Sequence, residues 1–308
     1  MDEIIKEVQD INEWIDHCHK RVDLQDYDTL MDLGITIGNY LRKLTIISLN
    51  TMTEDEASRN EDTFELHEAV IVGHLVRIYK LFDQLVYFVS ENKGEISQIF
   101  SRLMFETFAT MKYLIIKGNS SIDNYIKVSF KSTINQYVYI KEVESKKELV
   151  DIERRIIQKI ENRIKKVGLD ITDLTSNKNW KLDGLSFKGI IDYLKNHDSS
   201  PSLWGLSYDF MYGNSSTFIH GLWYDIELNH LMYSNGRYSP KLSYDAVDPR
   251  YILSDCFIPV MACIDYLKWR KSDPNNILIR VFEKIGGLLV HLNEIDEIRI
   301  EKKREGAT

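Results

Sequence analysis

The sequence is poor in the residues that punctuate loops and staple small folds. Its 308 residues hold five prolines and fifteen glycines, too few for the turn-rich texture of a β-sandwich or barrel. Three cysteines without paired spacing cannot build a disulfide framework, which points to a reducing compartment. No stretch approaches the roughly 18 uncharged apolar residues that a membrane span needs. The start, "MDEIIKEVQD", is acidic and lacks an apolar signal core. A cytoplasmic location is therefore expected, and a membrane partner is not. A net charge of −8 removes any global attraction to nucleic acid, although a local basic surface stays open. There is no GxGxxG, Walker loop, GxSxG or HExxH, so the signatures of common nucleotide, hydrolase and zincin chemistry are missing. No cofactor is expected.

What is present favours helices. Hydrophobic residues make up 44% of the chain, enough for a substantial core, and abundant Ile, Leu, Lys and Glu suit long helices. The expected class is all-α, a multi-helix bundle. Ile4, Val8, Ile11, Ile15 and Cys18 form one helical stripe; Leu30, Leu33, Ile37, Leu41, Leu44 and Ile47 form a second. The spacings of three and four predict an N-terminal helical hairpin over residues 1–60. The polar run 50–62 then separates it from a main bundle over 61–308.

Within that bundle, a helix over 63–90 precedes "EISQIFSRLMFETFATMKYLIIKG", which is apolar around most of its circumference and should be buried. Arg102 and Glu106 stand out there, because a desolvated guanidinium demands a carboxylate and further acceptors. Residues 121–168 carry eleven Lys or Arg against seven Asp or Glu. They are expected to form a long helical arm, as one helix or two stacked ones, stopped at Gly168. Its charges suit a solvated face, or a groove for RNA or another protein. Ser186 should cap one helix and Ser200 with Pro201 another, with a break or kink at Gly213 and Asn214. The stretch 234–250 reads as a loop, Asp248 with Pro249 as the start of a helix to about Lys271, and Asp273 with Pro274 as the start of the last helix, bending at Gly286 and Gly287.

His220, in "SSTFIHGLW", is the candidate third member of the polar group. Ser216 is four residues before it, and Ser216, Tyr212 or Asn214 could fix its tautomer while Glu106 raises its pKa. The residue types fit either a catalytic set of His220, Arg102 and Glu106 or a hydrogen-bonded core histidine. The trio could also hold a small anion. Other polar side chains say less. His17, Cys18 and His19 point in different directions on a helix, so no metal site is expected. His67 and His74 suit capping, packing or exposure, and Cys256 and Cys263 suit small buried hydrophobes.

"SRLMFETFATMKYLI", "NWKLDGLSFKGIIDYL" and "YGNSSTFIHGLW" together resemble a bacterial domain family of unassigned function, marked by Arg-x3-Glu and a later Ser-x3-His-Gly. The resemblance covers roughly residues 62–270 and marks Arg102, Glu106, Ser216 and His220, with Trp180 as a packing residue. That family is in turn similar to the HEPN helical domains, many of which are metal-independent RNases of toxin and phage-defence systems with an Arg-x4-6-His motif. Tyr212 to Ser216 supply no arginine before His220, so Arg102 would have to replace it. The resemblance implies a HEPN-like core and two functions: a helical binding or regulatory protein with a buried Arg/Glu/His network, or an RNase using His220 with Arg102. A homo-oligomer is compatible with both.

Overall fold

The computed structural model describes residues 9–11, 13–14, 17–18, 26–53, 63–199, 204–205, 207–214, 219–220 and 222–305. Among them the architecture is an all-α multi-helix bundle carrying one two-stranded ribbon. Helix α1 (Tyr27–Leu49) opens on Asp26, whose carboxylate accepts the Thr29 N–H at 3.1 Å. Helices α2 (Leu66–Ser90) and α3 (Gly94–Lys117) are joined by only three residues, where Asn92 takes φ 55°, and so form a tight helical hairpin.

The bundle is completed by α9 (Pro249–Asp255), α10 (Phe257–Arg270) and α11 (Ile277–Glu305). Asp248 caps α9 as expected, accepting the Arg250 N–H at 3.0 Å. The Asp273 carboxylate accepts from Ile277 N and Ile279 N at 2.9 Å at the head of α11. One expectation is corrected here: the helix foreseen from Asp248 to Lys271 is interrupted at Cys256. Helix α11 stays helical through Gly286 and Gly287.

One core unites these helices, with Leu41, Phe82, Phe105, Tyr266 and Phe282 among its members. Ile11 and Cys18 are buried in it too, so both N-terminal stripes feed the same core. The rest of the 2–23 stripe, and Ser200 with Pro201, lie outside the described residues. Helix α1 is pressed against its neighbours at two glycines. A Cβ on Gly34 would stand 2.7 Å from Ile252 Cγ2, and one on Gly38 2.9 Å from Val86 Cγ2.

The basic arm is three helices instead of the one or two foreseen: α4 (Asn119–Ser129), α5 (Lys131–Glu144) and α6 (Asp151–Lys166). A single extended helix would leave its isoleucines in water. Folding α6 back on α5 instead buries Ile134 with Ile160 and Ile164, and Ile140 with Ile157 and Leu149. Gly168, at φ +71°, ends α6 as expected. Leu169 N donates to Ile164 O and Gly168 N to Lys165 O, the paired bonds of a Schellman cap.

Trp180 packs half-buried on the small core of this arm, beyond α7 (Ile171–Thr175). Helix α8 (Phe187–His197) begins on the Ser186 cap. The supposed loop 234–250 begins as a ribbon of β1 (Leu231–Ser234) and β2 (Arg237–Pro240). Asn235 and Gly236 both take positive φ between the strands, as a two-residue hairpin turn requires. Each strand is only four residues long, too short for alternation to show.

Charged groups pin the layers together. Lys112 of α3 reaches Asp265 of α10 at 2.7 Å and Asp198 at 3.1 Å, and Asp198 also accepts the Trp204 indole N–H at 2.7 Å. Burial opposes the Lys112 charge, but the two carboxylates prevail and raise its pKa. Among the described residues no helix is long and apolar enough to cross a membrane.

Asp255 is fully buried and accepts the Ser101 hydroxyl at 2.6 Å. Burial pushes its carboxyl from 3.8 up to about 7, with the Ser101 bond working the other way. The folded state thus holds the proton more tightly than the unfolded chain, so its contribution is favourable at low pH and is lost as pH rises from about 4 to about 7. Asp255→Asn should remove that loss. Urea unfolding at pH 8 should show the variant more stable than the wild type by about 1–4 kcal/mol, with the gap closing toward pH 4.

Candidate functional site

Glu95, Ile99, Arg102 and Glu106 follow one another at four, three and four residues along α3, one stripe on a single face. That stripe is half-buried, with Tyr212 against Arg102 and with Asp225 and His230 beside Glu95. Arg102 is 11% exposed and donates Nε–H to Glu106 Oε1 at 3.0 Å; Glu106 keeps 34% of its surface in water. The Arg102 guanidinium lies 4.2 Å from the centre of the Tyr212 ring. Tyr212 stacks in turn on Tyr208 at 5.0 Å and leans on Phe187 at 4.9 Å. The guanidinium is therefore held by one carboxylate and one aromatic face, and its Nη1 is buried without a hydrogen-bond partner.

The structure brings Arg102, Glu106 and Tyr212 together. His220 is not bonded to them: it is exposed, and among the described residues it makes no hydrogen bond or ion pair. The expectation of a buried histidine in an Arg/Glu/His network is corrected in that respect. The cause is local. Residues Tyr208–Asn214 and Ile226–His230 are both wound as π-helical turns, an uncommon geometry concentrated at functional sites, and His220 lies on the segment between them. Asn214 closes the first turn, where a break or kink was foreseen. Ser216 lies outside the described residues.

The histidine that meets carboxylates is His230. Its Nδ1 is 3.9 Å from Glu95 Oε2 and its Nε2 is 3.7 Å from Asp225 Oδ2. The imidazole is 54% exposed, whereas Asp225 and Glu95 are 6% and 14% exposed. Asn229 donates to Asp225 Oδ1 at 2.8 Å. Glu95 Oε2 is buried with no hydrogen-bond partner. Burial pushes the Glu95 carboxyl above its ordinary range, with His230 and Lys241 pulling it back. These groups, with Asn229, Ser243 and Tyr244, line a cleft of about 340 Å³.

The β-ribbon fixes the far wall. Lys241 N donates to His230 O at 2.9 Å, Lys241 Nζ to Leu228 O at 3.3 Å, and the Tyr238 hydroxyl to Glu227 at 2.7 Å. Lys241 Nζ also meets Asp245. Glu95 was legible as a position seven residues before Arg102, and Asp225 and His230 as polar groups in an aromatic-rich stretch. Their pairing across 130 residues was not. Nearby, a cavity of about 400 Å³ among Phe105, Phe108, Trp204, Met211, Phe257 and Met261 offers two serine hydroxyls and no ionisable group.

The remaining candidates have structural partners or none. His74 is buried with Nδ1 2.7 Å from Val70 O, and His67 meets Asp123 at 2.6 Å. Cys256 and Cys263 are fully buried, as foreseen. Among the described residues no group of three His, Cys, Asp or Glu could hold a metal ion.

Fold and site together define an all-helical bundle with a polar cleft on its central helix. A family model described as a family of unknown function, DUF5677, matches residues 68–238, more than half of the chain, and the chain belongs to that family. The match includes Glu95, Arg102, Glu106, Tyr212, Asp225 and His230 and stops short of Lys241. No curated protein and no solved structure matches the chain.

Replacing Arg102 by Met should cost about 1–3 kcal/mol in urea unfolding, since it strands a half-buried carboxylate and removes the charge from the Tyr212 face. Arg102→Lys should recover only part of that loss, because an ammonium lacks the planar contact.

Proposed function

We propose that this chain is a helical binding protein of regulatory type, and that its ligand enters the cleft on α3 through a cationic group. The observation that carries this reading is the buried, unpartnered Glu95 Oε2 facing Asp225 across an exposed imidazole. An orphaned carboxylate oxygen in low dielectric favours a donor brought by a ligand. Charge points the same way. Glu95 and Asp225 line the cleft against Lys241, itself tied to Asp245, so a primary amine or guanidine is attracted and a polyanion is repelled. His230, held by neither carboxylate at hydrogen-bond distance, can swing aside to admit it.

The test is thermal stabilisation of the full chain by agmatine and spermidine, with AMP and inorganic phosphate as anionic counterparts. A ligand at about a hundred times its Kd should add roughly 2.7 kcal/mol. The two amines should raise Tm, and Glu95→Gln with Asp225→Asn should abolish the rise. Binding should also strengthen as pH climbs through the raised pKa of Glu95, because the carboxylate is the form that receives the cation. Stabilisation by AMP or phosphate but by neither amine would refute the assignment.

A second reading, a metal-independent RNase of a toxin or phage-defence system, draws support from the exposure of His220. Here His220 is acid or base, Arg102 and Glu106 complete the catalytic set, and Ser216, Asn214 and Tyr212 support it. The commitment of Arg102 to Glu106 and Tyr212 weighs against this reading, as does the acidic cleft. It requires cleavage of labelled RNA in EDTA that disappears in His220→Ala without a change in Tm.

A further inference from the structure

Helix α6 is amphipathic in an unusual sense: its inner face is three isoleucines, Ile157, Ile160 and Ile164, and its outer face is a row of cations. Arg155, Lys159, Arg163 and Lys166 recur at i, i+4, i+8 and i+11, with Gln158 and Asn162 between them, and the six line one shallow open trough. All six are exposed. The four cations span about 16 Å at 1.5 Å per residue.

None of the four has an ion-pair or hydrogen-bond partner among the described residues. The neighbouring Arg154, turned to another side of the helix, meets both Glu148 and Asp151. A chain with 47 acidic residues against 39 basic ones has carboxylates to spare, yet none is placed opposite this row. Like charges at i,i+4 weaken a helix by a few tenths of a kcal/mol per pair, so the row contributes nothing to holding α6 in place. The isoleucines do that.

We infer that the outer face of α6 binds the phosphodiester backbone of a nucleic-acid strand, without reading its bases. A regular line of cations fits a polymer with a regular line of charges. The residues between the cations settle the class of partner. Gln158 and Asn162 offer hydrogen bonds to phosphate and sugar oxygens, whereas a membrane-surface helix interleaves its cations with bulky apolar groups that enter the acyl region. The inference is independent of the α3 cleft, which lies on a different part of the fold and carries the opposite charge.

The test is fluorescence anisotropy of a labelled 20-nucleotide oligouridylate titrated with the full chain from 50 to 200 mM NaCl. Four phosphate contacts on a single strand predict a slope of log K against log salt of about −3. Lys159→Glu with Arg163→Glu should weaken binding by about tenfold or more and roughly halve the slope. Lys181→Glu with Lys188→Glu changes net charge equally at exposed positions elsewhere and should leave affinity within about twofold. The neutral pair Lys159→Gln with Arg163→Gln should fall in between, which keeps the result readable if charge reversal perturbs α6. Equal losses in the two Glu pairs would overturn the inference. So would a wild-type chain that ignores the oligonucleotide at 50 mM salt but binds phosphatidylserine vesicles or poly-glutamate through the same residues.

Discussion

Arg102 gives up most of its hydration on α3, and an unmatched ion in that position costs several kcal/mol even after the surroundings relax. Glu106 alone cannot offset this. It is one turn away on the same helix, in the less favourable Arg-before-Glu order, and a third of it still faces water. The balance comes from Tyr212, brought over the guanidinium by a segment more than a hundred residues further along the chain. The fold has therefore to deliver an aromatic ring to one point on α3, and much of its middle section serves that delivery. Ser186 starts α8, which positions Phe187 against Tyr212. Asp198 and Lys112 anchor Trp204, which stacks on Phe108 at 5.2 Å just before the π-helical turn begins.

The cleft lies on the same stripe. Glu95 is two helical turns before Arg102, about 10 Å along the axis, and would face water there without a partner. Asp225 and His230 meet it instead. At this end an exposed imidazole stands 3.9 and 3.7 Å from the two carboxylates, and one carboxylate oxygen goes without a donor. Each end of the stripe leaves one buried polar atom without a partner, and the two differ in what surrounds it. The Arg102 end is covered by stacking, and the Glu95 end opens on free volume.

Much of this was legible in the sequence where a local rule governs. The caps at Ser186 and Asp248, the stop at Gly168 and the burial of α3 follow from short-range backbone chemistry and periodicity, and the structure has each of them. The oddity of Arg102 and Glu106 was visible because charge is out of place on an apolar helix. Their partner was not, since a tyrosine in an aromatic-rich stretch carries no mark of which cation it will cover. His220 drew notice through its hydroxyl-bearing neighbours, while His230 sits in "IELNH", where nothing nearby announces Glu95. The helix count of the arm was not legible, because helical period alone cannot say whether a stripe is buried by another part of the chain or by itself. Ile134 facing Ile160 and Ile164 is a tertiary fact.

Charge distribution gives these features a common logic. An acidic chain repels polyanions at long range, beyond roughly 10 Å of screening at ordinary salt, so a cationic row must project from the body to be effective. The α5–α6 hairpin suits this: its small cores of Ile134, Ile140, Ile157 and Ile160 are separate from the main one, and the cations on its outer face meet no carboxylate among the described residues. One charge pattern underlies both proposals: a cation entering the cleft would gain from Glu95 and Asp225, and a polyanion on α6 would gain from cations that no carboxylate pairs among the described residues. The two sites share no lining residue, so neither draws on the charges that the other needs.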